Sequence, residues 1–493
     1  MESLSDTLWD VVICGTGLQQ SLLALALSRS KKKILHIDPN DFYGGSEAAF
    51  SLQDAESWVK GLTGGFNGFF KSATLVKSEG TTGLGPSRAY YLALAPTFIH
   101  SRSALLSQLV SSQAYRQVEF LAVGSFFIFK PAQDPCFRPT LTRIPSTRED
   151  IFSSTAVSTK AKRMLMKFLK FVLDYEESPQ LEQWRSHADA PLTEFLGEVF
   201  KMDAELQTYV LTLTLSLDGN ISTKDGLATI RRHLSSMGVY GPGFAAIYPK
   251  WGGLSEIAQV SCRAGAVGGA VYMLGSSIKE IETVQEDKLL RLSLSSGDTV
   301  RTRLLVRAND SSGFGLSISR LVAVVDSPLT SFFQPTVEGA PRPAVAVVAF
   351  PTGSLTTPAG ATYQYPVYLS AHSGETGECP NDQSVLYLTT LSTPDSNEIL
   401  QKALDAFLST EEAQTSHILL RLQYEQSGGS TDLCAENCVI TLSGTPLSLA
   451  FDDSTLDPVK EAWKHVMGEG AVESEYMNFP DREGEADEDE ANE

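Results

Sequence analysis

Three residues near the N-terminus have the types and the spacing of a nucleotide site. Gly15 and Gly17 are the first two glycines of a Gly-x-Gly-x-x-Gly turn. Asp38 follows about 20 residues later, where a dinucleotide-binding unit places the acid that bonds to the ribose. The third glycine position, which leaves room beside the pyrophosphate, holds Gln20 instead. The pattern therefore predicts the scaffold of such a site without a flavin or nicotinamide cofactor.

The segments around the two glycines predict a strand, a helix and a second strand. The run LWDVVIC is short and apolar, SLLALALSRS has the apolar positions of a buried helix, and KKKILHI is a second β-like run. This order is the βαβ unit of a Rossmann-related α/β fold. Beyond residue 280, further β-rich segments predict a return to the same domain. Residues 438–467 predict a last strand and helix that close it against the N-terminal strand.

No group of residues has the spacing of an enzyme active site. The sequence contains no HExxH, GxSxG or GxxxxGK[ST] motif, and its seven histidines and six cysteines form no metal-binding pattern. His36 lies inside the predicted second strand, where a packed or hydrogen-bonded histidine is favoured over a general base. The chain is therefore predicted to be a binding protein with no catalytic residue and no cofactor or metal.

Length, composition and charge narrow the class of protein. The 493 residues, 42% of them hydrophobic, predict two or three globular domains, and no window is apolar enough to span a membrane. A formal charge of −20 argues against nucleic-acid binding, which needs clustered basic residues. The acidic start is unlike a secretory signal, which predicts a cytoplasmic location. Residues 471–493 are predicted to be an acidic disordered tail, because residues 481–493 carry eight acids and one arginine.

The stretch GTGLQQSLLALALSRSKKKILHIDPNDFYGG resembles the N-terminal signature of the superfamily of Rab escort proteins and Rab GDP-dissociation inhibitors. Residues 87–129 and 225–275 resemble the second and third stretches that the superfamily shares. The resemblance implies an FAD-binding-like, GDI-type fold built from several chain segments that does not use FAD. It also implies a non-catalytic accessory role, since geranylgeranyl transfer in this system belongs to a separate αβ heterodimer with its own zinc site.

The resemblance further implies which residues bind the Rab GTPase. The superfamily forms its Rab-binding platform from the Tyr-Gly-Gly turn and from the block that corresponds to residues 225–275. The platform residues that carry over are Tyr43, Glu256, Arg263, Tyr272 and Met273. This sequence departs from the family motif in two places, because one extra residue precedes Glu256 and Ala258 replaces a proline.

Residues 149–228 change to helical periodicity and predict an all-helical domain inserted into the α/β chain. Residues 1–148 and 229–470 are predicted to form one discontinuous domain with the platform. The apolar positions between residues 164 and 172 cover more than half of the first helix, which indicates either burial in a bundle or a face kept for a partner. Four basic residues interleave with them: Lys162, Arg163, Lys167 and Lys170. By resemblance to escort proteins this face docks the prenyltransferase, and Phe152 matches their anchoring phenylalanine.

The leading interpretation is an escort function. Such a protein would bind GDP-bound Rab, present it to the prenyltransferase and shield the geranylgeranyl lipid until a transient membrane contact. Two alternatives stay open. One is a Rab GDP-dissociation inhibitor, which does not support prenylation, and the other, from a different class, is a flavin-dependent oxidase.

Overall fold

A computed structural model gives the fold of the chain. It describes residues 4–62, 69–78, 83–132, 134, 136–145, 158–284, 289–309, 316–429, 433–444 and 446–480. The strands within these ranges are β1 Leu8–Cys14, β2 Ile34–Ile37, β3 Ala49–Phe50, β4 Phe70–Lys77, β5 Leu92–Ala93, β6 Ile99–His100, β7 Phe120–Lys130, β8 Thr140–Arg143, β9 Ala246–Pro249, β10 Val271–Met273, β11 Ile278–Val284, β12 Leu289–Leu294, β13 Thr299–Ala308, β14 Ser317–Val325, β15 Val345–Phe350, β16 Val367–Ser373, β17 Ser384–Leu391, β18 Ile418–Ser427, β19 Cys434–Glu436 and β20 Val439–Leu442.

The α-helices of the same ranges are α1 Leu18–Leu27, α2 Leu52–Leu62, α3 Ala104–Ser111, α4 Thr159–Leu173, α5 Gln180–Arg185, α6 Leu192–Glu198, α7 Ala204–Thr214, α8 Thr223–Ser236, α9 Leu254–Val267, α10 Ser396–Leu408 and α11 Asp457–Met467. None of these helices has the length and apolar character needed to cross a lipid bilayer.

The first sheet contains the predicted βαβ unit. β1 pairs in parallel with β2 on one side and with β13 on the other, and α1 connects β1 to β2. The sheet runs in the order β10-β2-β1-β13-β12-β11, and β20 and β19 join it through β13. β2 is buried at every position, as expected of a strand covered on both faces. The predicted Rossmann-related α/β class is confirmed.

The C-terminal strand and helix join this sheet in a different place from the one predicted. β20 pairs with β13 rather than with β1, because β2 and β13 already occupy both edges of β1. α11 packs directly on α1 instead. The last strand and helix therefore complete the domain through β13 and α1, and the last strand does not pair with the N-terminal strand.

The chain stays folded beyond α11. Met477 and Phe479 are buried in the same core as α1, and the Phe479 amide donates a hydrogen bond to the Ser111 carbonyl at 2.9 Å. The prediction of a disordered tail from residue 471 is therefore wrong for residues 471–480, because these two apolar side chains fix the segment. The acidic residues 481–493 lie outside the described residues.

The second sheet is larger and mostly antiparallel. Its order is β4-β18-β14-β17-β16-β15-β7-β9-β6, with β8 added to β7. α10 packs on β14 and β17, and α2 packs on β4. β9 leads through a glycine turn directly into α9, so this sheet fixes the start of the helix that carries most of the predicted platform.

The helices α4 to α8 form a separate bundle with its own core of Phe168, Phe171, Phe195 and Phe200. Ser158 caps α4 and Ser222 caps α8, each by accepting a bond from a backbone amide of the first turn. Leu227 and Ile230 of α8 belong to the same core. The predicted border between residues 228 and 229 therefore falls inside α8 and is corrected to follow that helix; the rest of the domain division stays a prediction.

Candidate functional site

The Gly15–Gly17 turn bonds to Asp38. Asp38 Oδ2 accepts hydrogen bonds from the backbone amide of Thr16 at 2.6 Å and from its hydroxyl at 2.7 Å. Asp38 Oδ1 accepts from the amide and the side chain of Asn40 at 2.7 and 3.0 Å. Burial raises the pKa of this carboxyl, and the bonds from Thr16 and Asn40 oppose that rise. The acid predicted from the nucleotide pattern is therefore satisfied by its own chain.

The place of the pyrophosphate is also filled from within. The side chain of Gln20 lies over the turn, since a methyl group on Gly17 would come within 3.0 Å of Gln20 Oε1. The amide of Leu18, the first of α1, donates to Glu47 Oε2 at 3.1 Å. A helix N-terminus is the usual seat of a phosphate in this fold, and here a carboxylate occupies it. These residues do not fit the pyrophosphate of a dinucleotide.

A cleft of about 820 Å³ lies beside this turn. Its lining includes Gln20, Glu47 and the aromatic rings of Phe42, Trp58 and Phe70. The second sheet and α2 form one wall, and the start of β11 forms the other. Among the polar groups that line the cleft, the carboxylates of Asp38 and Glu47 are hydrogen-bonded within the protein.

His36 has a structural place in this unit. Its Nε2 lies 2.6 Å from the Gly15 carbonyl, and its ring packs on Tyr272 with centroids 4.8 Å apart. Burial lowers the pKa of His36 to about 4, and the bond to Gly15 opposes this only in part. The hydrogen-bonded histidine expected from the sequence is confirmed.

The predicted platform residues gather around α9. Glu256 and Arg263 lie two helical turns apart on the same side of α9, with Gln259 between them. Arg263 and Gln259 are exposed, and Glu256 is half-buried. Burial raises the pKa of Glu256, while the positive charge of Arg263 lowers it. The outer side of α9 thus carries an acid, an amide and a base in a row.

Tyr43, Tyr272 and Met273 are half-buried. Burial raises the pKa of Tyr43, and the nearby Cys262 of α9 and Asp38 raise it further. Tyr272 crosses α9 at Gly265, where an added methyl group would lie 2.5 Å from the Tyr272 hydroxyl. The structure therefore brings Tyr43, Tyr272, Glu256 and Arg263 to one region. Met273 instead packs on the opposite face of the sheet, against the core that contains Trp9 and Val12. The role of all five residues in binding stays a prediction.

Two glycines explain how the chain turns into α9. Gly252 and Gly253 have φ of +101° and +67°, a region that other residues rarely adopt. A methyl group on Gly252 would lie 2.4 Å from the Cβ of Ala49, and one on Gly253 would lie 2.6 Å from the Tyr248 hydroxyl. This close approach presses the start of α9 onto the segment that follows Tyr43.

Sequence reasoning missed an aromatic group at the same turn. Trp251 is 42% exposed, lies 5.7 Å from the ring of Tyr91, and has the Lys250 ammonium 5.1 Å from its own centroid. The sequence shows this tryptophan directly before the two glycines of the turn. Glu47 was missed as well, because its only sequence signal is an acid shortly after the Tyr-Gly-Gly turn.

The proposed docking helix is buried on one face and exposed on the other. Leu165, Phe168, Phe171 and Val172 of α4 lie in the bundle core, which favours the burial interpretation for that face. Leu173 is exposed, and three of the four interleaved basic residues are exposed too: Arg163, Lys167 and Lys170. Phe152 lies outside the described residues, so its place relative to this helix stays a prediction.

The fold is Rossmann-related, Gln20 and Glu47 close its phosphate position, and a polar row lies on the outer side of α9. The model of the GDP dissociation inhibitor family matches residues 5–331, and the chain belongs to this family. The matched range includes the nucleotide-type turn, the Tyr43 turn, α9 and β10. It also includes the whole helical bundle.

The relatives and solved structures agree with the family. The chain is 32% identical over 410 residues to Rab proteins geranylgeranyltransferase component A of Saccharomyces cerevisiae, a match that covers 80% of this chain and 64% of that protein. The chain thus spans less than two thirds of the length of this relative.

Two solved structures share the fold. The Rab GDI of Plasmodium falciparum matches at a TM-score of 0.67 and 17% identity, over 93% of this chain and 98% of that one. An oxidoreductase from Methanosarcina mazei matches at 0.54 and 11% identity, over 95% and 97%. The expected GDI-type, FAD-binding-like fold is confirmed.

The flavin-dependent oxidase is not favoured. The matched family is that of the GDP dissociation inhibitors, and Gln20 and Glu47 occupy the position that a flavin dinucleotide needs for its phosphates. Among the described residues, no group of three or more His, Cys, Asp or Glu side chains could hold a metal ion.

Proposed function

We propose that this protein is a Rab escort protein, the accessory and non-catalytic component that presents Rab GTPases for geranylgeranylation. It binds the GDP-bound Rab, offers the C-terminal cysteines of the Rab to the prenyltransferase heterodimer, and shields the lipid until delivery. Membership of the GDP dissociation inhibitor family and the name of the yeast relative support this proposal. The protein acts in the cytoplasm and contacts membranes only during delivery.

The observation that carries the proposal is the exposed row on α9. Glu256, Gln259 and Arg263 are held on a rigid helix, with Tyr43 at one side. Arginine makes bidentate bonds to carboxylates, and tyrosine contributes contact area at a low entropic cost, so both suit a protein interface. We assign Tyr272 and Met273, at the edge strand β10, to the same interface.

Lipid shielding belongs to the helical bundle in this proposal. A small apolar cavity lies between the bundle and the second sheet, lined by Leu165, Leu169, Leu213, Phe126 and Phe244 among others. Its volume of about 30 Å³ is far below that of a 20-carbon chain and is close to the space of one water molecule. Lipid binding there requires α4 to move away from β7.

Reconstitution tests the function directly. A Rab, the prenyltransferase heterodimer and labelled geranylgeranyl diphosphate are mixed with and without this protein, and lipid transfer to the Rab is measured. We expect transfer only when the protein is present. Binding of GDP-Rab without any support of transfer would instead identify a GDP-dissociation inhibitor. Transfer that proceeds equally without the protein, with no Rab binding, would contradict the proposal.

A further inference from the structure

Glu47 is an acid with an unusual place. Only 2% of its surface is exposed, although it lies at the end of a short 3₁₀ helix, Gly45–Glu47, that follows the Tyr43 turn. Its Oε2 accepts the amide of Leu18, and its Oε1 accepts the hydroxyl of Ser46 at 2.6 Å. The first turn of α1 contains no acid of its own, so the carboxylate of Glu47 supplies the negative charge that a helix N-terminus favours.

The residues between Tyr43 and Glu47 are bonded to the glycine turn at two points. The Gly44 amide donates to the carbonyl and to the hydroxyl of Thr16, both at 3.1 Å. The Glu47 amide donates to the Gly44 carbonyl at 2.9 Å, and the Glu47 carboxylate then reaches Leu18. The turn that begins at Tyr43 is thus tied to the start of α1 by its backbone and by one buried charge.

Asp38, the acid of the nucleotide pattern, contributes to the same region. The Asp38 carboxylate holds Thr16, which in turn accepts the Gly44 amide. The Asp38 amide donates to the carbonyl of Met273 at 2.9 Å. Both acids therefore connect the glycine turn to residues of the predicted platform: Glu47 to the Tyr43 turn and Asp38 to β10.

We propose that the Glu47 carboxylate takes the place of a nucleotide phosphate at the N-terminus of α1 and so holds the Tyr43–Gly45 turn in its binding position. Glu47 is a positioning residue, because it acts through Tyr43 and does not itself face the Rab. The role toward the Rab rests on the proposed function, whereas the replacement of the phosphate does not. The cleft borders Glu47, which gives a small anion a route to this position.

The test removes the Glu47 carboxylate by mutation and then supplies acetate as a replacement anion. In Glu47→Ala, hydrogen exchange of the backbone amides of residues 43–48 should be faster, and Rab affinity should fall about tenfold, as for the loss of a buried charge-assisted bond. Sodium acetate, compared with sodium chloride at equal ionic strength, should slow the exchange again and recover most of the Rab affinity. Acetate should change neither quantity in the wild-type protein.

Glu280→Ala is the matched control. Glu280 lines the same cleft on β11 and is exposed, so its loss should alter neither exchange of residues 43–48 nor the response to acetate. Glu47→Gln keeps the shape and one acceptor oxygen, and it serves if the alanine variant does not fold. It should exchange faster than the wild type at the same amides.

Three results would overturn the proposal in part or whole. No response of Glu47→Ala to acetate, or wild-type behaviour of Glu47→Gln, rejects the phosphate replacement. If acetate slows the hydrogen exchange again but Rab affinity is the same in every variant, the positioning of Tyr43 is rejected. If the wild-type protein binds no Rab, the proposed function fails by itself, and the exchange and acetate measurements still decide on Glu47.

Discussion

Helices α1 and α9 are entered in similar ways but differ in how much of their surface reaches solvent. Each helix follows a strand and a turn with two glycines. Every residue of α1 is buried, and its first amide bonds to Glu47. α9 instead leaves Gln259, Arg263 and Val267 in solvent. The difference teaches that this fold can satisfy the polar groups of its cleft internally while it exposes polar side chains on an outer helix, which is where the proposed Rab interface lies.

The largest expected effect comes from removing the Asp38 carboxylate, which holds the glycine turn before α1. Asp38→Ala leaves the amide and hydroxyl of Thr16 without their buried acceptor, and we expect a loss of about 3 kcal/mol in the free energy of unfolding. Urea denaturation measures the loss. Asp41→Ala, an exposed acid of the same turn, is the control and should stay near the wild type. Equal stability of both variants would mean that the inner hydrogen bonds do not hold the unit together.

Phe152→Ala tests the predicted prenyltransferase anchor, which precedes α4 in the sequence. We expect about 2 kcal/mol weaker binding to the prenyltransferase, as for the loss of an aromatic anchor, with Rab affinity unchanged. Titration of both partners by calorimetry gives the two values. Phe137→Ala, at a phenylalanine that is 71% exposed, is the control. Joint loss of both affinities, or unfolding, would identify Phe152 as a core residue.

Arg263→Ala tests the outer row of α9. Loss of its charge-assisted bonds should weaken Rab binding by about 1–3 kcal/mol, with the free energy of unfolding unchanged. Arg263→Lys keeps the charge but not the bidentate geometry, and it should restore only part of the affinity. Arg301→Ala removes an exposed arginine of β13 and serves as control. Unchanged Rab titrations for both Arg263 variants would refute the platform.

Acid should destabilise the fold partly through His36, and burial also lowers the pKa of His100 and His233 elsewhere in the protein. The unfolded chain binds a proton on His36 below about pH 6.5, while the folded chain binds one only near pH 4. The free energy of unfolding therefore falls as the pH drops from 6.5 to 4, by at most about 1.4 kcal/mol per pH unit for this group. His36→Gln should reduce that slope, measured by urea denaturation at several pH values. A slope that is the same in His36→Gln and in the exposed-site control His465→Gln would contradict it.

The smallest expected effect is that of a substitution at Val267, which tests where the predicted platform ends. Val267 is 84% exposed at the last turn of α9. Val267→Ser should change the free energy of unfolding by less than about 0.5 kcal/mol, since the side chain has no core contact. Its Rab affinity should fall by less than about 1 kcal/mol. A larger loss would extend the platform to the C-terminal end of the helix.

Sequence reasoning predicted the parts of the fold that depend on local pattern. The βαβ unit around Gly15 and the bonded state of His36 follow from apolar periodicity and turn chemistry, which neighbouring residues determine. The partner of β20 was missed, because pairing between strands far apart in the chain leaves no local signal. The order of residues 471–480 was also missed, since two apolar residues among acids outweigh the average composition.

The sequence indicated which residues belong to the candidate site, but not which contacts hold them in place. Tyr43, Glu256 and Arg263 came from a resemblance to family motifs, and the structure brings them together. The internal acid Glu47 could not be found in this way, because its partner at Leu18 is 29 residues away and depends on the Tyr43 turn. The bond between Leu18 and Glu47 depends on the tertiary fold, and no residue propensity or sequence spacing predicts it.

The pairing of β1 with β13 has a consequence for synthesis on the ribosome. β1 can pair with β2 early, but its other edge stays open until about 300 further residues have been made, which takes roughly 15 to 60 s at ordinary translation rates. During that time an apolar strand with an unpaired edge is exposed to other chains. The nascent protein should therefore depend on chaperones that cover this edge, and slower translation should lengthen the dependence.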